Sequence, residues 1–344
     1  VVGWPKGFVD EPSKADKVGW LLKDNRNLLA AVIGYLLLLA YYIPVWRKYG
    51  KDPEEGVVVT RYEPPDGFSP ASLRYIRQMY YDNKVMTAAV VNLAVKGYLE
   101  IKRRGGSHWL TRKDSDVLKP AMAAGEQELF DGLFKDGPKI ELDNENHGVL
   151  GAARAAHQKS LKKDYKQHYF KTNGALNIPA IVIVIGSMLI AVNIGRGATA
   201  LVIATIVLSF LTMAFLAFIM TRPTTRGRKV LDEMLGFKDF LEIAEKDELN
   251  LRNPPEKTPQ LFEAFLPFAL ALGVDQEWSE RFASVLAAIR DQDGREYQPS
   301  WYNGRWNSSN LSKTTSKLSG SLNSAISSSV SAPGSSSGGG GGGS

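Results

Sequence analysis

Chemistry in this chain would fall to four histidines and a scatter of paired carboxylates, because it contains no cysteine. Disulfides, zinc–thiolate centres and cysteine nucleophiles are thereby excluded. His157 and His168 are eleven residues apart and fall near one face of a helix, with His147 upstream. A metal centre needs more ligands than that face supplies. The closely spaced acids Asp114/Asp116 and Glu126/Glu128 lie in ordinary polar surroundings and read as solvated surface. Catalysis needs a base and a reacting group poised together, and no such set stands out. The expectation is therefore no catalytic residue, no metal, no cofactor and no enzyme. The densest charged feature is basic: Lys102, Arg103, Arg104, Arg112 and Lys113. Two readings stand for them: contact with anionic headgroups at a membrane surface, and, the favoured one, an ordinary solvated hairpin, since charged hairpin tips are common.

An α+β module with winged-helix character, within residues 47–175, would carry those cations. Residues 57–62 (VVVTRY) are rich in strand formers, and EPPDG supplies a turn. Ser69-Pro70 reads as an N-cap with proline at the first helical position, followed by Leu73, Ile76 and Met79 at helical spacing. A second helix over 85–96 stops at Gly97. Two alternating stretches, 98–102 and 108–112, flank Arg103-Arg104-Gly105-Gly106 and predict a hairpin. Helix, helix, hairpin is the order of a winged helix-turn-helix. In a DNA reader the second helix would enter the major groove. Here KVMTAAVVNLAVK offers base edges little beyond Lys84 and Asn92, so nucleic acid is the disfavoured partner.

Around this module stand three uncharged apolar blocks, at 28–46, 176–194 and 198–220. Each has about the length a helix needs to cross a hydrocarbon core of about 30 Å. Tyr41, Tyr42 and Trp46 cluster at one end of the first block, as in an aromatic belt. The spans predict an integral, multi-pass α-helical protein of the plasma membrane, with the bilayer as its first partner. Arg47, Lys48 and Lys51 follow the first span, Lys162, Lys163, Lys166 and Lys171 precede the second, and Arg222, Arg226, Arg228 and Lys229 follow the third. Only Arg196 lies between the second and third. Positive charge favours the cytoplasm, which puts the N-terminal segment 1–27 outside, residues 47–175 inside, a short hairpin outside and the C-terminus inside. The absence of ionisable residues within the spans argues for anchors rather than a conduction path.

The loop continues with a helix over GEQELFDGLF, a strand at KIELD and a basic helix from about Leu150 into the second span. Residues 221–306 read as helical. A juxtamembrane helix breaks near Gly236, Thr258-Pro259 caps a second, and Asp275 is placed to cap a third carrying Trp278, Phe282, Val285 and Leu286. From Asn307 to Ser344 the Ser/Gly-rich chain is expected to be disordered. The net charge of +6 over 344 residues is modest and does not itself point to nucleic acid. The chain opens at Val1 without a basic leader region, so it reads as a fragment or mature product of a longer protein.

The ordered set VVGWPKG, WRKYGKDP, YEPPDGFSPASLRYI, AVVNLAVKGYLEIK, RGRKVLDEMLGFKDFLEIAEKDEL, FEAFLPFALALGV and EWSERF resembles the YciQ-like family of bacterial predicted membrane proteins of unknown function. The resemblance covers nearly all of residues 1–306. It implies a signal peptide and an extracytoplasmic domain ahead of VVGWPKG, a membrane topology, and no catalytic residues to carry over. The function expected from all this is a membrane-anchored interaction or scaffold protein with protein partners. A membrane-bound DNA-binding regulator, or an accessory component of a transport or envelope complex, is the alternative.

Overall fold

A computed structural model describes residues 13–114, 118–195, 197–243, 255–290, 294 and 296–330. In chain order come α1 (Lys14–Asp24), α2 (Arg26–Tyr49), α3 (Pro70–Gln78) and α4 (Asn83–Val95), then the strands β1 (Leu99–Arg104) and β2 (Ser107–Arg112). Next are α5 (Ala124–Leu133), β3 (Lys139–Glu141), α6 (His147–Tyr165), α7 (Ile178–Ile194) and α8 (Thr199–Ile219). The chain continues through α9 (Thr225–Glu242), α10 (Pro259–Leu272), α11 (Asp275–Ala288), a short strand Tyr302–Asn303 and α12 (Leu311–Ser329). Two compact units result. One takes the residues up to Asp52 with Lys171–Arg222, and the other takes Pro53–Phe170 with the residues from Pro223 onward.

The first unit contains three helices long and apolar enough to cross a membrane: Arg26–Tyr49, Gly174–Ile194 and Thr199–Ile219. They coincide with the three predicted spans: the first two are extended by two to three residues where a flanking Arg or a 3₁₀ turn continues the coil, and the third is one residue shorter at each end. Only 22%, 17% and 11% of their most apolar stretches are buried within the protein, so large apolar faces are left for lipid. What is buried is narrow. On α2 it is Asn27, Ala31, Gly34, Leu38 and Tyr42, and on α7 it is Ala180, Val184 and Ala191. These intervals of three, four and seven keep one stripe of each helix facing the other. A Cβ built on Gly34 would lie 2.1 Å from the Ser187 Cβ, so the missing side chain is what lets the two backbones approach. Arg196, expected in the turn between the second and third spans, lies outside the described residues.

The second unit is organised around α4, on which every residue from Val85 to Ala94 is buried. Helices α3, α10 and α12 pack around it, with β1 on its C-terminal side. Ser69 caps α3 through its hydroxyl, which accepts from Ser72 N at 3.2 Å, and Pro70 occupies the first turn as the sequence predicts. Gly97 follows α4 with φ +82°. The hairpin closes through Gly105 and Gly106 at φ +60° and +93°, conformations that favour glycine and match the twist of paired strands. Its register pairs Ile101 with Leu110, β3 joins β2 antiparallel, and Tyr302–Asn303 joins β1 parallel, giving a four-stranded mixed sheet.

Several expectations are corrected. Residues 57–62 form no strand. Residues 57–60 are exposed, Arg61 N donates to Gly236 O at 3.1 Å, and half-buried Tyr62 packs edge-on against the Phe240 ring, so the segment lies against α9 rather than joining the sheet. Gly236 does not break its helix, since α9 runs unbroken past it. A Cβ there would sit 2.0 Å from the Val59 carbonyl oxygen, so this glycine serves a close backbone approach. Asp275 is the first residue of α11 rather than its cap, which is Val274. The largest correction concerns the segment from Asn307, expected to be disordered. Residues 308–329 form a 3₁₀ turn and α12. Leu311, Leu318, Leu322 and Ile326 recur at intervals of seven, four and four, with Thr315 between the first two, and all are buried in the main core. The residues from 331 to 344 lie outside those described.

Candidate functional site

A cleft of about 680 Å³ opens in the second unit between the turn before α3, the C-terminal end of α4, the approach to α5, and α10. Phe68, Val95, Met122, Phe265 and Phe268 give it apolar walls. Its polar side chains include Asn92 on α4 and Lys96, the C-cap one helical turn further on, Ser69 before α3, and Gln260 and Glu263 on α10. Thr258 starts α10 with a side-chain cap on Leu261 N at 3.2 Å, and Pro259 fills the first turn. The other end of α10 is held by α3. Arg74 Nη1 donates to Ala271 O at 2.8 Å and Arg77 Nη1 to Leu272 O at 2.6 Å, where cations complement the helix dipole.

Beside the cleft lies Glu126, fully buried, contrary to its reading as solvated surface. Its Oε1 accepts from Asn92 Nδ2 at 2.5 Å, and its Oε2 accepts from Lys96 Nζ at 2.8 Å and from Ala123 N at 3.0 Å. A buried carboxylate is tolerable when charge and hydrogen bonds are both met, as here. The reciprocal carboxylate-to-backbone bond at the start of α5 is the device that places Glu126. It escaped notice because the cap residue is Ala123 rather than a serine or threonine. Glu263, half-buried, is engaged at both oxygens, accepting from the Tyr297 hydroxyl and from Trp301 Nε1 at 2.8 Å. Burial, together with the Glu263 carboxylate, pushes the Tyr297 phenol up. Glu128 is exposed, Asp114 pairs with Arg112, and Asp116 lies outside the described residues.

The histidines do not share a face. Helix α6 ends at Tyr165, so exposed His168 falls beyond it, whereas His157 is wholly buried and His147 starts the helix. Among the described residues, no three His, Cys, Asp or Glu side chains gather as metal ligands. The basic stretch is likewise divided. Strand alternation puts Arg103 and Arg112 on the sheet face of Leu99 and Ile101, and Lys102 and Arg104 on the other. Lys102 pairs with Glu100 at 3.4 Å. Arg112 pairs with Asp114 at 2.7 Å and lies over the Phe130 ring, and Lys113 donates to Ser300 O at 3.0 Å. Arg103 and Arg104 are exposed at the turn.

Three lipid-exposed apolar helices joined in one chain to a mostly helical unit with a small mixed sheet define a polytopic membrane protein of α-helical type. The chain belongs to the family described as predicted membrane protein (DUF2207), C-terminal domain, whose model matches residues 59–282. It is similar to the uncharacterized protein YciQ of Escherichia coli (strain K12), at 27% identity over 196 residues. That alignment covers 52% of this chain and 30% of the relative, so the chain matches about a third of the relative's length. No solved structure matches the chain.

Proposed function

We propose that this is a membrane-anchored interaction protein, whose second unit receives an apolar segment of a partner protein in the cleft bounded by α4 and α10. The observation that carries this reading is the cleft's chemistry: aromatic and aliphatic walls around one acid, Glu263, already engaged by Tyr297 and Trp301. Such a lining suits apolar binding with a few orienting polar groups, and it offers no base poised beside a nucleophile. A photo-crosslinking residue at Gln260, on the rim, is expected to give a discrete adduct in intact membranes. Ala264→Trp, which fills the exposed floor beside Phe265, is expected to abolish it. If no adduct forms, or if the tryptophan leaves it unchanged, the reading fails.

The orientation proposed for the chain has the N-terminus outside and the C-terminus in the cytoplasm. It rests on the basic flanks of the spans; the core shared by the segments before α7 and after α8 suits a two-helix hairpin in either orientation, so the charges carry the choice. Because the chain has no cysteine, single cysteines at Ser13 and Ser300 can be tested with an impermeant thiol reagent on intact cells. Labelling at Ser300 but not at Ser13 would reverse the assignment.

The order α3, α4, β1, β2 also favours a winged-helix reading and with it a membrane-bound DNA regulator. The burial of α4 weighs against that, because Asn92 is bonded to Glu126 rather than free for a base edge. Duplex affinity measured against salt discriminates: phosphate contacts release counterions and give a steep slope, and a flat one excludes this reading.

A further inference from the structure

A second concavity of about 840 Å³ lies where the β1–β2 turn meets the C-terminal segment. Its lining includes Arg103 from β1, Arg305 after the short strand, and Lys313 and Lys317 one turn apart on α12. No Asp or Glu lines it. The chain from Tyr297 to Ser344 contains no acidic residue at all, while it carries Arg305, Lys313 and Lys317. All four cations are exposed, and among the described residues Arg305, Lys313 and Lys317 make no ion pair. Like charges at i and i+4 destabilise a helix by about 0.2–0.5 kcal/mol per pair, and Lys313 and Lys317 are placed in that relationship with no compensating acid on the groove. Asn310 and Thr314 also line it, the Thr314 hydroxyl donating back to Asn310 O at 2.9 Å. The glycines Gly105 and Gly106 leave the mouth open, with nothing within 4 Å of where their side chains would be. Behind the groove, buried His108 bonds Ser321 Oγ at 3.1 Å, and burial together with Arg103 holds its pKa low, so it adds no charge of its own at neutral pH.

We infer that this groove, formed by Arg103, Arg305, Lys313 and Lys317, binds a phosphate-bearing anion of more than one negative charge. Guanidinium and ammonium donors converging from three separate elements match several oxygens of such a group. A free phosphorylated small molecule and a phospholipid headgroup share that chemistry.

The test uses the full chain with Gly320→Cys, an exposed α12 position lining the groove with no atom within 4 Å of a new Cβ, carrying an environment-sensitive fluorophore. The protein is reconstituted in nanodiscs of phosphatidylcholine alone and titrated with inorganic pyrophosphate. In a second arm, the fraction of phosphatidylglycerol in the disc is raised without pyrophosphate. A saturable response to pyrophosphate identifies a soluble phosphate ligand, and a response confined to the phosphatidylglycerol arm identifies a headgroup. In either case Arg305→Gln/Lys313→Gln/Lys317→Gln is expected to weaken the response at least about tenfold, and Lys313→Arg/Lys317→Arg to retain it. Unchanged thermal unfolding of the exposed-site variants shows that the unit still folds. No saturable response in either arm, or equal affinity in the neutralised variant, overturns the inference.

Discussion

The Tyr81 hydroxyl and His157 Nδ1 meet at 2.9 Å inside the second unit, with the two rings edge to face. The other ring nitrogen, Nε2, has no hydrogen-bond partner among the described residues, and Gly125 leaves the space that the imidazole edge fills, a Cβ there lying 3.1 Å from Cδ2. Burial pushes the His157 pKa down to about 3 and the Tyr81 phenol up. Both groups are thus held neutral by the core that surrounds them.

Acid sensitivity follows from His157. In the unfolded chain this histidine takes up a proton near pH 6.5, whereas in the folded unit it does so only near 3. Between those values the unfolded state binds more protons, so stability falls as pH drops, by about 1.4 kcal/mol per pH unit from this residue. Denaturant midpoints of the wild type and His157→Gln, measured from pH 7 to 4, should diverge by that slope. Parallel curves would show that His157 titrates normally in the fold.

Lys96 and Glu126 are unequal partners. The lysine side chain is 20% exposed and the carboxylate 0%, so removing the lysine strands a buried charge, whereas removing the acid releases the lysine toward water. Lys96→Met is expected to cost about 3 kcal/mol or more, and Glu126→Gln in the Lys96→Met background to recover much of it. A double-mutant cycle in denaturant gives the coupling, and simple additivity would contradict the asymmetry.

Leu322 on α12 is 0% exposed, and Leu322→Ala should cost about 2–5 kcal/mol of the second unit's stability. Tryptophan emission during urea unfolding reports it through Trp278 and Trp301, both buried in that unit. A loss under about 0.5 kcal/mol, the level of an ordinary surface change, would mean that α12 does not contribute to the core.

Between α2 and α7, Gly34→Ala sets a methyl against the Ser187 Cβ, at a cost of about 1–3 kcal/mol from overpacking. Ser187→Gly in the same chain removes the clash and should restore the thermal midpoint in detergent. Failure of the rescue would mean that the close approach lies elsewhere along the helix pair.

The spans, the caps at Ser69 and Thr258 and the diglycine hairpin were legible because each rests on local chemistry: a long uncharged run, a side-chain oxygen before proline, a turn needing positive φ. What was hidden depends on distant partners. Nothing near Val59 announces that Gly236 will lie against its carbonyl, and nothing near Glu126 announces Asn92 and Lys96. Residues 57–62 have the side chains of a strand but lie against α9, through Arg61 and Tyr62, instead of the sheet. The α12 stripe was present in the sequence, but the serines between its leucines obscured it. There, helical period was the better guide than composition. The groove cations Lys313 and Lys317 were hidden in the same stretch, and Arg305 joins them only through the fold.

The core around α4 has a consequence for biosynthesis. Its first half, with α3 and α4, leaves the ribosome before α7 and α8, while Phe262, Leu266 and Leu322 emerge only after them. A nascent chain paused between the two halves exposes the apolar flank of α4, the kind of surface on which incomplete chains aggregate. Membrane insertion of the helix pair and completion of the globular unit are thereby tied to one order in time, and a ribosome stalled near residue 230 would leave a substrate for chaperones rather than a working half-protein.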